Sequence, residues 1–129
     1  MPLTAFDHVN IRTADLDGMI EWYDRILGIT AGYRPVFKDP GAWLYLNGTC
    51  VIHLFDNPPK PPAHQDGENL RLDHVAFRAE GFGAFIDMLE AEGIEHTTTT
   101  LEETQTVLVF LRDPDGNHIH VDFAMGEVQ

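Results

Sequence analysis

Four of the seven histidines in this chain fall at paired positions, and imidazole is the side chain here best suited to bind a metal or move a proton. Asp7-His8-Val9 recurs as Asp73-His74-Val75, and Ile52-His53-Leu54 recurs as Ile119-His120-Val121. The spacings, 66 residues from His8 to His74 and 67 from His53 to His120, keep the two halves nearly in register. A single strand histidine often does no more than hydrogen-bond to a neighbour. Two imidazoles delivered twice by a duplicated module read more naturally as a transition-metal donor set. Four converging imidazoles without a metal would be costly, because a buried polar group lacking a partner costs about 1–3 kcal/mol.

Hydrophobic periodicity shows what must position them. Ala5 to Arg12 alternates as a short strand, and Leu16, Met19, Ile20, Tyr23, Ile26 and Leu27 then recur at helical spacing before Gly28. Three strand candidates follow at 30–37, 42–47 and 49–55, punctuated by Pro40-Gly41 and the hairpin pair Asn47-Gly48. The second half repeats the plan. A strand over 70–79 leads to a helix marked by Phe82, Phe85, Ile86 and Leu89 and stopped near Gly93, and strands follow at 95–101, 105–111 and 118–124. Asp113-Pro114-Asp115-Gly116-Asn117 supplies a tight reversal before the last of them. Each half is therefore expected to be a βαβββ module, one over residues 4–56 and one over 70–124, in a single α+β domain.

The intervening 57–69 segment carries Pro58-Pro59-Lys60-Pro61-Pro62, whose polyproline geometry makes it a stiff spacer. Strand alternation puts Phe6, His8 and Asn10 on one face and Val9 and Ile11 on the other; Leu72, His74 and Ala76 oppose Val75 and Phe77 in the same way. A helix can cover the aliphatic side. The four imidazoles are thus expected on the opposite, concave surface, where Trp43 and Tyr45 alternate onto one strand face and His118 and Asp122 flank His120.

Composition narrows the function. Eight Lys and Arg against 21 Asp and Glu give a formal charge of −13, which disfavours nucleic acid and anionic membrane as partners. No basic stretch followed by an apolar one opens the sequence, so the cytoplasm is the expected location. The single cysteine, Cys50, excludes an intrachain disulfide and reads as a small buried hydrophobe. At 129 residues the chain supports one modest core, and halves of this size are expected to pack on each other or on a second chain.

The repeated modules, the two Asp-His-Val openings and the ending Asp113 to His120 resemble the vicinal-oxygen-chelate superfamily over essentially the whole chain. That superfamily includes glyoxalase I, fosfomycin-resistance proteins, extradiol dioxygenases, epimerases and bleomycin-resistance proteins. The resemblance implies a glyoxalase-like fold: a cup-shaped, partly open mixed sheet with helices on its convex side. It also implies a homodimer acting on a small molecule.

In glyoxalase I-like members the metal ligands, usually His, Glu or Gln, His and Glu, sit at positions matching His8, His53, His74 and His120. Dioxygenase-like members use three, matching His8, His74 and His120. Here histidine stands at both usual carboxylate positions. A neutral set leaves the divalent charge less compensated and raises its Lewis acidity, but it removes the Glu implicated in proton transfer. Asp122 is the candidate replacement base, with Glu102 and Glu103 further away along the chain, and Trp43, Tyr45 and His118 are candidate pocket residues.

One divalent transition metal is expected; imidazoles suit zinc, nickel, cobalt, copper or iron, and manganese stays among the candidates. The expected activity is lyase or isomerase chemistry through a metal-stabilised enolate of a small vicinal-oxygen substrate. The alternatives are an Fe(II) extradiol ring-cleaving dioxygenase, which needs a carboxylate beside two histidines, and a metal-free binding protein of the bleomycin-resistance kind.

Overall fold

Residues 2–56 and 71–128 are described by the structure, a computed structural model. The chain forms two compact units, Met1–Pro62 and Ala63–Gln129. The proline-rich spacer expected over 57–69 lies outside the described residues.

Unit 1 runs β1 (Val9–Arg12), α1 (Leu16–Leu27), β2 (Thr30–Ala31), β3 (Gly41–Leu46) and β4 (Thr49–Phe55). Unit 2 runs β5 (His74–Arg78), α2 (Phe82–Ala91), β6 (Thr97–Leu101), β7 (Thr106–Arg112) and β8 (His118–Ala124), closed by a 3₁₀ turn at Met125–Glu127. Each unit builds a four-stranded mixed sheet, in the orders β1-β4-β3-β2 and β5-β8-β7-β6. The first strand pairs in parallel with the last (β1 with β4, β5 with β8), and the remaining pairs are antiparallel. Two such βαβββ units make the protein α+β.

Local chemistry explains the elements. The Asp15 carboxylate accepts the Gly18 N–H at 3.1 Å and caps α1, whose other end stops at Gly28 in the left-handed conformation. One stripe of α1, Met19, Trp22, Tyr23 and Ile26, is buried, as are Leu44, Ile52 and Leu54 of the sheet. In unit 2 the core is Leu89, Val107, Val109, Leu111, Ile119, Val121 and Phe123, with Phe82 and Phe85 of α2 each 5.5 Å, ring to ring, from Phe123. Because Ile119, Val121 and Phe123 point into this core, His118, His120 and Asp122 must occupy the other face of β8.

Three element boundaries depart from the periodicity. The strand expected from Ala5 begins at Val9, where the ladder to Ile52 starts, and Phe6 is left 83% exposed. The strand expected over 30–37 shrinks to Thr30–Ala31: Pro35 has no N–H to give a ladder, and the Tyr45 ring packs so tightly on Gly32 that a Cβ there would meet it at 2.8 Å. Residues 32–40 form a loop instead. The strand expected over 70–79 is confined to His74–Arg78.

Candidate functional site

In unit 1 the β1–β4 register places Asn10 opposite His53, so His8, just ahead of β1, reaches the same sheet face. The His8 and His53 rings stack with centroids 3.5 Å apart and planes 15° apart. Trp43 lies opposite His53 across the β3–β4 ladder and stacks on its other side at 4.1 Å and 9°. Unit 2 repeats the arrangement. His74 and His120 stack at 4.0 Å and 8°, and Phe110, opposite His120 across β7–β8, packs its ring at 4.3 Å.

The leading histidine of each pair is oriented by the aspartate before it. The His8 Nδ1–H donates to Asp7 Oδ1 at 2.8 Å, and the His74 Nδ1–H donates to Asp73 Oδ2 at 2.9 Å. Both bonds fix the tautomer that keeps the Nε2 lone pair free, the arrangement common for metal-binding imidazoles. Burial lowers the basicity of His53 and His120, and the neighbouring His8 and His74 respectively lower it further. His53 and His120 therefore take up a proton less readily than a free imidazole. Among the described residues, no three or more His, Cys, Asp or Glu are grouped to hold a metal ion. Each unit presents one such imidazole pair.

Around the unit 2 pair, His118 has its ring 6.3 Å from His74 and 5.7 Å from His120, edge to face, and its Nδ1 lies 3.9 Å from Asp73 Oδ2. Asp73 thus faces two histidines, and its hydrogen bond to His74 holds the carboxyl below the ordinary Asp range. Asp122, two residues after His120 and opposite Arg78 in the register, has a buried Oδ1 with no hydrogen-bond partner among the described residues. Burial pushes its pKa up, against the pull of His120, Arg78 and His74. A carboxylate so placed is a stronger base than an ordinary one.

The candidate pocket residues separate. Trp43 lines a cavity of about 300 Å³ in unit 1 together with His53, and His118 lines one of about 370 Å³ in unit 2 with His96, Phe110 and Arg112. Tyr45 lines neither of these; its hydroxyl donates to the Tyr33 carbonyl at 2.7 Å. Glu102 and Glu103 stand in the exposed turn between β6 and β7. The sequence shows no basic cluster, yet Arg34 and Lys38 both line the unit 1 cavity. Only the folding of the 32–40 loop over β3 brings them there; Pro35 between them was the available signal that this segment leaves the sheet.

Comparison with known proteins defines the class. The model of the glyoxalase/bleomycin resistance protein/dioxygenase superfamily matches residues 5–121, and the chain belongs to that superfamily. It is 31% identical over 123 residues to "Glyoxylase I 4" of Arabidopsis thaliana, covering 92% of this chain and 70% of that protein. It is also 31% identical over 118 residues to the uncharacterized protein YaeR of Escherichia coli (strain K12), covering 88% and 92% of the two chains. Among solved structures, a glyoxylase/bleomycin resistance protein/dioxygenase domain from Frankia sp. EAN1pec has the same fold, with a TM-score of 0.77 at 24% identity over 95% of this chain and 93% of that one.

Proposed function

We propose that this protein is a divalent-metal-dependent lyase or isomerase acting on a small substrate with neighbouring oxygen atoms. The observation that carries the reading is the repeated Asp–His···His unit: an aspartate-oriented imidazole with its Nε2 free, stacked on a second imidazole, at equivalent places in both modules. His8, His53, His74 and His120 would hold the metal, a donor set that fits zinc, nickel, cobalt, iron or manganese. The bound metal would polarise substrate oxygens and stabilise negative charge that develops on them.

The chain's own residues do the remaining work. The Asp7 and Asp73 carboxylates keep Nδ1 protonated and the rings in place. Asp122 is the base that takes a proton from the substrate, since burial raises its proton affinity and its Oδ1 has no hydrogen-bond partner among the described residues. Trp43 in unit 1, and separately Phe110 and His118 in unit 2, offer ring surfaces against which an apolar part of a substrate would rest. We infer a homodimer from membership in a superfamily whose members are often dimeric.

Metal content after reconstitution with excess zinc, nickel, cobalt, iron or manganese, followed by desalting, tests the reading. The expected result is about one ion per chain in the parent protein and much less in a His74→Ala variant. Full metal retention by that variant would remove the assignment. Retention of iron alone, with oxygen uptake on a catechol, would turn the reading to ring-cleaving dioxygenase.

A further inference from the structure

The unit 1 cavity holds a feature that the metal reading does not use. In a chain with a formal charge of −13, Arg34 and Lys38 bring two cations to one small space against the single carboxylate of Asp39. Arg34 is held in a built setting. Its Nη2 donates to the Asp39 carbonyl at 3.1 Å, and its guanidinium carbon lies 4.8 Å from the centre of the Phe37 ring. Its Nε is buried without a hydrogen-bond partner among the described residues. The guanidinium packs against Gly41, where a Cβ would meet both the Leu54 carbonyl oxygen and Arg34 Nη2.

A guanidinium so placed costs free energy unless something returns the hydrogen bonds it has lost. Trp43, stacked on His53, also lines the cavity, with the Phe37 ring 6.2 Å from it. The cavity thus offers a planar cationic fork, two aromatic surfaces and a candidate metal-site imidazole, within about 300 Å³. That volume suits a ligand at the small end of the usual range.

We propose that Arg34, assisted by Lys38, is the carboxylate-binding residue of the site, and that the substrate is an α-oxygenated carboxylic acid with an apolar tail lying against Trp43 and Phe37. The planar fork of Arg matches a carboxylate through paired hydrogen bonds, which a compact ammonium cannot reproduce. The chemical role of the neighbouring oxygen rests on the metal reading given above; the carboxylate contact itself does not.

The test is a titration of chelator-treated, ¹⁵N-labelled protein with 3-phenyllactate, its methyl ester and phenyl phosphate, following the indole N–H signals. Trp43 lines the cavity and reports binding, while buried Trp22 monitors the fold. The acid should shift the Trp43 signal saturably, with the ester and phenyl phosphate each at least about tenfold weaker. Arg34→Gln should weaken the acid by about tenfold or more, with Arg34→Lys between, and leave the Trp22 signal in place. Four results would overturn the proposal: no saturable shift with the acid, equal affinity for acid and ester, unchanged binding in Arg34→Gln, or tighter binding of phenyl phosphate, which would assign the cations to a phosphoryl group. Since no metal is present in the titration, its outcome is independent of whether the four histidines hold one.

Discussion

At the scale of single residues, the account rests on what each histidine is offered by its neighbours. Asp7 and Asp73 are exposed carboxylates that stabilise the fold little but set the tautomer of His8 and His74. Asp73→Asn should therefore weaken metal binding by about 10–100-fold, measured by competition with a chelating dye, while the melting temperature barely moves. An unchanged affinity would separate the aspartates from the metal. Asp122→Asn should leave metal content intact and lower kcat by about 10²-fold or more, the usual contribution of a general base. Cys50 provides a control outside the proposed ligand set: burial, reinforced by Asp7, raises its pKa, so the thiol stays protonated to higher pH than a free cysteine. Its alkylation by iodoacetamide should accordingly rise with pH later than that of free cysteine, and an earlier rise would contradict the burial of the thiol.

The elements show how far the sequence can be read. The helices were legible because twelve- and ten-residue stretches carry a full apolar stripe and end at or near glycines. Strand β8 was legible because its residues alternate polar and apolar from His118 to Phe123, and β7 because it is a short run of apolar residues, several of them β-forming. The 30–37 segment was not, since its β-forming composition is overridden by Pro35 and by the Tyr45 ring on Gly32, contacts that periodicity does not encode. The same loop hid the cationic wall of the unit 1 cavity.

The Asp113 turn was legible as a reversal but not as an anchor. Its carboxylate, 4% exposed, accepts the N–H groups of Asp115 and Asn117 and the Asn117 side-chain amide, and so fixes where β8 begins. Asp113→Ala should cost about 1–3 kcal/mol of stability in chemical denaturation, because it strands partly buried donors immediately before His118 and His120. A cost within experimental error would show that the turn is held by its backbone alone.

Over the whole molecule, duplication is the fact that organises the rest. The two units share an element order, a sheet order and a stacked imidazole pair facing away from the core. The recurrence was visible in the residues themselves, because His8, His53, His74 and His120 keep their spacing to within one residue. Membership in the glyoxalase/bleomycin resistance protein/dioxygenase superfamily agrees with it. Sequence alone could not tell that each unit brings its two rings into parallel stacks, with an aromatic side chain of the adjacent strand packed on His53 and on His120. Parallel rings separated by 8° and 15° do not aim two lone pairs at one point, so a metal held by both rings of a pair would require them to turn. Addition of the preferred metal should therefore shift the Trp43 indole signal, since Trp43 stacks on His53; an unmoved signal would place the ion away from unit 1.

The central proposal is that His8, His53, His74 and His120 bind a transition-metal ion. Elemental analysis of the reconstituted protein beside His8→Ala and His120→Ala variants addresses it most directly, because these two residues lie in different units. The account predicts about one transition-metal ion per chain in the parent protein and loss of most of it in each variant. Retention of the ion in either variant, or no ion in the parent protein, would contradict it.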